Sequence, residues 1–250
     1  MKFADNRCTS AQIREMHPEM AVFGIGATEQ HSVHLPLGTD WLAVSEITRR
    51  VAEKLGALLV PALPFSMSEC HGPAAGTVWL KPKTLAAVVT DVVNSLQAQG
   101  INRIILVNGH GGNFVLEAVI RELNLARPSL QLTMPSGELV IGMEEQIFET
   151  ANLEVHAGEA ETSFHLAFNP EDVKRESVDF VPPVGREFLD YAYMSYISKF
   201  GAWGCPTRGT AAKGQAGLDA QVRAICEEAQ IIFKFLDNRS ASRAAASPRI

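Results

Sequence analysis

Two apolar runs that break off into glycine-rich polar loops set the limits on how this chain can fold. Ala21 to Ile25 ends at Gly26 and opens into Glu29, His31, His34 and Asp40; Ile101 to Val107 runs straight into Asn108-Gly109-His110-Gly111-Gly112-Asn113. A short run without polar alternation suits a strand of a parallel sheet covered on both faces. Such sheets keep their sites beyond the strands' C-terminal ends, so both loops are expected on one edge of one sheet. Glu29 and His31 stand two residues apart, and in an extended segment such side chains point to the same side. The loop to Asp40 is long enough to fold a carboxylate back onto them. Carboxylate oxygen together with imidazole nitrogen suits zinc, manganese or iron(II) better than calcium or magnesium.

The rest of the chain alternates helix and strand signals. Trp41 to Leu55 has helical spacing and a stop at Gly56; Ala57 to Leu63 reads as a strand. A polar, breaker-rich loop from Ser66 to Thr77 carries Cys70 and His71. Pro82 opens a helix over Lys83 to Gln99 with Gly100 as its cap, and a further helix covers Phe114 to Ala126. Leu130 to Met134 reads as a strand and Met143 to Thr150 as a short helix. A third polar cluster, Glu154 to Ser163, leads into the amphipathic run Phe164 to Phe168. Val181 to Phe200 shows no period and reads as an excursion near the site or an oligomer contact; Tyr191, Tyr193 and Tyr196 within it are assigned to core packing or a subunit contact. Gly217 to Leu236 is a helix. This pattern predicts an α/β fold, a three-layer α/β/α sandwich with a mostly parallel central sheet. It forms one domain over residues 1–237, with a mobile tail over 238–250.

With 46% hydrophobic and 20% charged residues among 250, the chain can bury a sizeable core. A net charge of −6 and the lack of basic runs with interleaved aromatics argue against a nucleic-acid partner. No apolar stretch approaches a membrane span, and Met1 to Met20 has no signal-like core. Cys8, Cys70, Cys205 and Cys226 are scattered without a CxxC pair, as expected of reduced thiols in a cytoplasmic protein.

The polar loops carry a family pattern. Thr28-Glu29-Gln30-His31 through His34-Leu35-Pro36-Leu37-Gly38-Thr39-Asp40 resembles the creatininase (creatinine amidohydrolase) family. So do Asn108 to Asn113 and His156-Ala157-Gly158-Glu159-Ala160-Glu161-Thr162-Ser163, with Gly204-Cys205-Pro206 and Ala212-Lys213-Gly214 as a weaker fourth piece. The resemblance implies a creatininase-like hydrolase with two divalent metal ions, zinc first and manganese or iron as alternatives. It implies that Glu29, Asp40 and His110 hold one ion, that His31 and Asp40 hold the other, and that His156 shuttles a proton. It also implies a homo-oligomer. The chemistry is coherent: a carboxylate bridging two cations about 3.5–4 Å apart acidifies water for attack, and a nearby imidazole can pass a proton to a leaving nitrogen.

The enzyme that gives the family its name has a tyrosine and a metal-binding glutamate where this chain has Gly111 and Gly112. The second ion then needs another carboxylate; Glu159 is the first choice, with Glu161 behind it and assigned to structure. Against these readings stand plainer ones. Glutamates at a helix start serve the dipole and the cap, and His156 can be a helix-start histidine satisfied by backbone. His34 is expected to brace Asp40 or its loop, His71 to contact substrate or brace its loop, and Asn113 to cap its helix. The function expected is hydrolysis of a C–N amide bond, linear or cyclic, in a small molecule. The alternatives are a formamide, a peptide or a keto-sugar at the same site, or a metal-binding protein without turnover.

Overall fold

The computed structural model describes residues 3–135, 146–174 and 176–246. In chain order the elements are α1 (Ser10–Met16), β1 (Met20–Ile25), α2 (Thr39–Leu55), β2 (Leu58–Leu63), α3 (Pro82–Ala98), β3 (Arg103–Asn108) and α4 (Val115–Ala126). They continue with β4 (Gln131–Thr133), α5 (Glu159–Phe168), α6 (Met194–Ile197) and α7 (Ala211–Ala246), with short 3-10 turns between. Among the described residues four strands form one parallel sheet in the order β2-β1-β3-β4.

The apolar runs are continuous because both faces of the sheet are covered. Ala21 lies between Leu58 and Ile104, and Ile104 beside Leu132. This row packs with Phe23, Ile25 and Leu106 against Leu85, Val89 and Val93 of α3 and Leu116 and Leu123 of α4. The alternate residues Val22, Ile105 and Val107 face Val44, Ile47 and Val51 of α2 and Leu218, Val222 and Ile225 of α7. Ile25, Ile104, Ile105 and Leu106 have no exposed surface, and burying each stabilises the fold by about 1.5–3 kcal/mol. The three layers expected from the alternation of strands and helices are therefore present.

This strand order places the functional loops. From β1 the chain moves to β2 on one side, then crosses to β3 on the other side of β1. The crevice beyond the C-terminal ends of β1 and β3 is thus the point where winding reverses. Two glycines let α2 press into that crevice. A Cβ on Gly26 would stand 2.4 Å from Trp41 Cα, and one on Gly109 2.7 Å from Val44 Cβ. The first turn of α2, with Asp40 in it, therefore rests directly on the loops that follow both strands.

Some expectations are corrected. The last helix begins at Ala211 and runs to Ala246, so most of the segment read as a tail continues a helix. Tyr191 and Tyr196 are 85% and 88% exposed, which removes core packing as their role. Of the short helix read over Met143 to Thr150, residues 143–145 lie outside the described residues, and of the rest only 146 and 147 are helical. Among those described, no helix is long and apolar enough to cross a membrane.

Candidate metal centre

Glu29, His31, His110 and His156 come from three separate loops and Asp40 from the first turn of α2, and all five are buried at the crevice. Asp40 is their hub. Its Oδ1 lies 3.1 Å from His31 Nε2 and its Oδ2 lies 3.0 Å from His110 Nδ1. The two oxygens of one carboxylate are therefore turned to two different imidazoles. Glu29 is fully buried, and its Oε1 sits 3.3 Å from His110 Nδ1, 3.4 Å from His71 Nε2 and 3.6 Å from His156 Nδ1.

The outward-facing nitrogens are fixed by backbone carbonyls. His31 Nδ1 lies 3.1 Å from Glu29 O, and His110 Nε2 lies 3.2 Å from Met67 O. Carbonyls and carboxylates only accept, so without a cation both nitrogens of His31 and of His110 carry protons; a cation would take the place of the protons on His31 Nε2 and His110 Nδ1, with the outer N–H groups still fixing the rings. His156 Nε2 donates to Gln30 O at 2.7 Å, leaving its Nδ1 lone pair facing Glu29. The main chain of His156 is held by exchange of hydrogen bonds with Trp203. Gln30 is oriented by Ser32, whose N–H donates to Gln30 Oε1 at 3.0 Å. Gln30 Nε2 in turn donates to His71 Nδ1 at 2.8 Å. With Nδ1 accepting, neutral His71 carries its proton on Nε2, toward Glu29. That turns the His71 N–H toward Glu29 Oε1 at 3.4 Å, a contact outside hydrogen-bond geometry.

Among the described residues neither oxygen of Glu29 has a hydrogen-bond partner, and Asp40 Oδ2 lacks one as well. Buried carboxylates in that state are costly. A cation held between carboxylate oxygens and imidazole lone pairs removes the cost, so the residues fit the metals the sequence implies. Ligating atoms of Glu29, His31 and Asp40 lie within 4.8 Å of one another; the same is true of Glu29, His71 and His156, and of His31, His156 and Glu161.

Without a cation the charges sort by neighbour. Burial works against the charged form of His31, yet Asp40 outweighs it and lifts His31 to about 10. His110 likewise rises to about 9, with Glu29 and Asp40 overcoming burial. Asp40 is held far below the ordinary carboxylate range because His31 and His110 outweigh its burial. Burial pushes Glu29 up. Burial and the His31 charge push His71 down to about 3 and His156 well below its ordinary value, so His156 stands neutral with a free lone pair.

The expectation that Glu159 reaches the cluster is corrected. Its carboxylate turns the other way, taking hydrogen bonds from the Glu149 and Thr150 N–H groups at 3.1 and 2.8 Å, the Thr150 hydroxyl at 2.7 Å and Lys213 Nζ at 2.5 Å. Glu161 is the acid that faces the centre, with Oε1 3.9 Å from His31 Nε2 and Oε2 accepting from Ala157 N–H at 2.5 Å. The reason is helical phase: two residues along a helix is about 200° of rotation, so these glutamates occupy opposite sides of α5. Burial pushes Glu161 up to about 7. The α5 N-terminus is capped instead by Glu154, whose carboxylate accepts from the Glu159 and Ala160 N–H groups.

His34 and Asn113 act from outside the cluster. His34 Nε2 lies 2.9 Å from Thr162 Oγ1, tying the first loop to α5. Asn113 makes no side-chain cap for α4, contrary to expectation. Its Oδ1 accepts from Met67 N–H at 3.1 Å and its Nδ2 donates to Asn108 Oδ1 at 3.0 Å. It thereby fixes the Met67 peptide whose carbonyl holds His110. The sequence reading missed Gln30 and Glu154; the signal available was their place inside the polar clusters. Lys213 and Gly214 of the fourth motif serve α5. Lys213 holds Glu159, and a Cβ on Gly214 would fall within 1.8 Å of Ser163 O.

A cavity of about 1000 Å3 opens over the cluster, with Asp40, His71, His110, His156 and Glu161 at its base and residues from 186 to 194 along one wall.

The family model described as Creatinine amidohydrolase matches residues 6–229. A mycofactocin precursor peptide peptidase of Mycobacterium tuberculosis is 30% identical over 234 residues, covering 86% of this chain and 85% of that protein. A creatinine amidohydrolase of Pseudomonas putida is 30% identical over 187 residues, covering 64% of this chain and 68% of its own. A crystal structure of a candidate creatinine amidohydrolase from Bacteroides fragilis superposes with a TM-score of 0.77 at 26% identity, covering 92% of this chain and 98% of that one. Solved creatininases in Zn–Zn and Mn forms share the fold, with TM-scores of 0.77 and 0.74 at 24% and 23% identity, covering 91% and 90% of this chain and 97% and 96% of theirs.

Proposed function

The chain belongs to the creatininase family of hydrolases, and on that premise we propose a metal-dependent amidohydrolase that cleaves a C–N amide bond of a small molecule. Glu29, Asp40 and His110 would hold one divalent ion, and His31, Asp40 and Glu161 the second; zinc is the first choice, with manganese or iron as alternatives. The observation that carries this reading is the Asp40 carboxylate, shared between His31 and His110 beside a buried Glu29 without hydrogen bonds.

When bound, divalent cations at such a site polarise a carbonyl and acidify water for attack near neutral pH. The protein's own groups do the rest. Asp40 would set the spacing of the two half-sites, since its Oδ1 faces His31 and its Oδ2 faces His110. His156, neutral and with Nδ1 open, takes up a proton there and delivers it to the leaving nitrogen; its Nε2–H bond to Gln30 O keeps the ring in place. Gln30 orients His71, whose Nε2 faces Glu29 Oε1 at 3.4 Å.

Gly111 and Gly112 remove the side chains that would crowd the opening. A Cβ on Gly112 would stand 2.5 Å from His110 Nε2 and 2.6 Å from Met67 O. The cavity is at the upper end of the range for small-molecule sites, about 300–1000 Å3, and has room for more than a single small ring; a short peptide is the main alternative within the same chemistry. The exposed aromatic side chains Phe188, Tyr191, Tyr193 and Tyr196 support a homo-oligomer, and the cytoplasm is the proposed compartment.

The test is turnover of a panel of lactams, formamides, N-acyl amides and short peptides. Chelator-stripped protein should be inactive and regain activity with zinc or manganese, and His156→Ala should lower kcat at least a hundredfold with metal content unchanged. No turnover of any panel member by metal-loaded protein would leave a metal-binding protein without catalysis.

A further inference from the structure

We propose that Arg186 is a specificity-determining residue that binds an anionic oxygen group, carboxylate or phosphate, on the substrate; this rests on the hydrolase reading above. Arg186 lies on the 3-10 turn Arg186–Asp190 and lines the same cavity as Asp40, His110 and His156. Its Nη2 donates to Gly111 O at 2.8 Å, and Gly111 directly follows His110. A Cβ on Gly111 would fall 2.3 Å from that same Nη2. The guanidinium therefore occupies the space from which a side chain at position 111 would grow into the cavity. Glycine at 111 admits the arginine to that space.

One of its five donors is used by Gly111. Among the described residues, no carboxylate pairs with Arg186, although its neighbours are acidic. Glu69, also on the cavity wall, is taken by Lys81 at 2.5 Å. Glu187 and Asp190 share the turn with Arg186 and are exposed, where solvent screens them. Arg186 is itself exposed at the cavity, and a guanidinium tethered at one nitrogen can turn its remaining donors to a planar or tetrahedral oxyanion. The fit is to an amide whose acyl or amine portion ends in such a group, with Met67, Leu80 and Phe114 supplying apolar wall.

The experiment measures binding by calorimetry and turnover by metal-loaded protein for three probe sets. These are N-acyl dipeptides with a free carboxylate, the same dipeptides capped as carboxamides, and capped dipeptides bearing O-phosphoserine. Arg186→Ala should weaken binding and raise KM at least tenfold for one of the two anionic sets, which is about 1.4 kcal/mol. It should leave the capped set unchanged, and Arg186→Lys should fall between. Which anionic set responds identifies the group. Equal losses on charged and capped probes, or no loss on either, would overturn the assignment while leaving the hydrolase reading intact. Binding of anionic probes that depends on Arg186 without turnover would support the subsite and fail the hydrolase reading; absence of any probe binding by the wild type would overturn the subsite.

Discussion

Replacing Gly26 with alanine tests whether the metal centre depends on α2 lying against the end of β1. The new methyl carbon would stand 2.4 Å from Trp41 Cα and 2.6 Å from Trp41 N. Carbon atoms in contact settle about 3.5–4.0 Å apart, so the first turn of α2 must retreat by about 1 Å. The obstructing atoms are backbone, and no flexible side chain can swing aside. Overpacking of this kind costs about 1–3 kcal/mol. For a domain of this size each kcal/mol is about 2–4 °C in Tm, giving a drop of roughly 2–12 °C for Gly26→Ala. Asp40 immediately precedes Trp41, so the same displacement carries its carboxylate off His31 and His110, and metal uptake should fall with stability. Gly38→Ala is the control. Its Cβ would meet nothing closer than 3.7 Å at a φ of −88°, and it should stay within about 0.5 kcal/mol of wild type. The assay is urea unfolding of chelator-treated protein, followed by metal content after reloading. A Gly26→Ala protein with unchanged stability and metal uptake would refute the idea that α2 is wedged there to place Asp40.

Glu161→Gln should lower metal content, whereas Glu159→Gln should leave it unchanged and cost about 1–3 kcal/mol through lost hydrogen bonds with Lys213 and Thr150; metal analysis and urea unfolding separate the two. Asn113→Ala leaves the buried Met67 N–H without its acceptor, which should cost about 1–3 kcal/mol and weaken metal affinity about 10–100-fold in a competition titration with a chromophoric chelator. His34 is pushed down to about 4, chiefly by burial and by His31. The unfolded chain therefore takes up that proton near pH 6.5 while the folded chain refuses it until about pH 4, and stability falls as pH falls between those values. One such proton is worth up to about 1.4 kcal/mol per pH unit. Unfolding of His34→Gln over this window should show a shallower fall, and an unchanged slope would exclude His34 as a source of acid sensitivity.

What could be read from the sequence and what could not divides along physical lines. Strands β1 and β3 are local signals, uninterrupted apolar runs closed by glycine, and parallel packing then places Glu29, His31, Asp40 and His110 on one edge. The choice between Glu159 and Glu161 was not local. It turns on where α5 starts and on Lys213, 54 positions later in the chain, whose ammonium draws Glu159 to the far side of the helix. Asn113 was read as a cap because it precedes a helix, yet its side chain serves Met67, 46 positions away. Residues 181–200 have no period because they form short turns over the cavity, and the role argued for Arg186 appears only once Gly111 is seen beneath it. The buried His165, whose Nε2 lies 3.4 Å from Thr39 O, gave no signal beyond its place on an amphipathic helix.

Metal stoichiometry by elemental analysis, on wild type and on Asp40→Ala, reaches the centre of this account most directly. Two divalent ions per chain in the wild type, both lost from a still-folded Asp40→Ala protein, is the expected result. Full occupancy in Asp40→Ala, or a wild type that takes up no divalent metal at all, would contradict it.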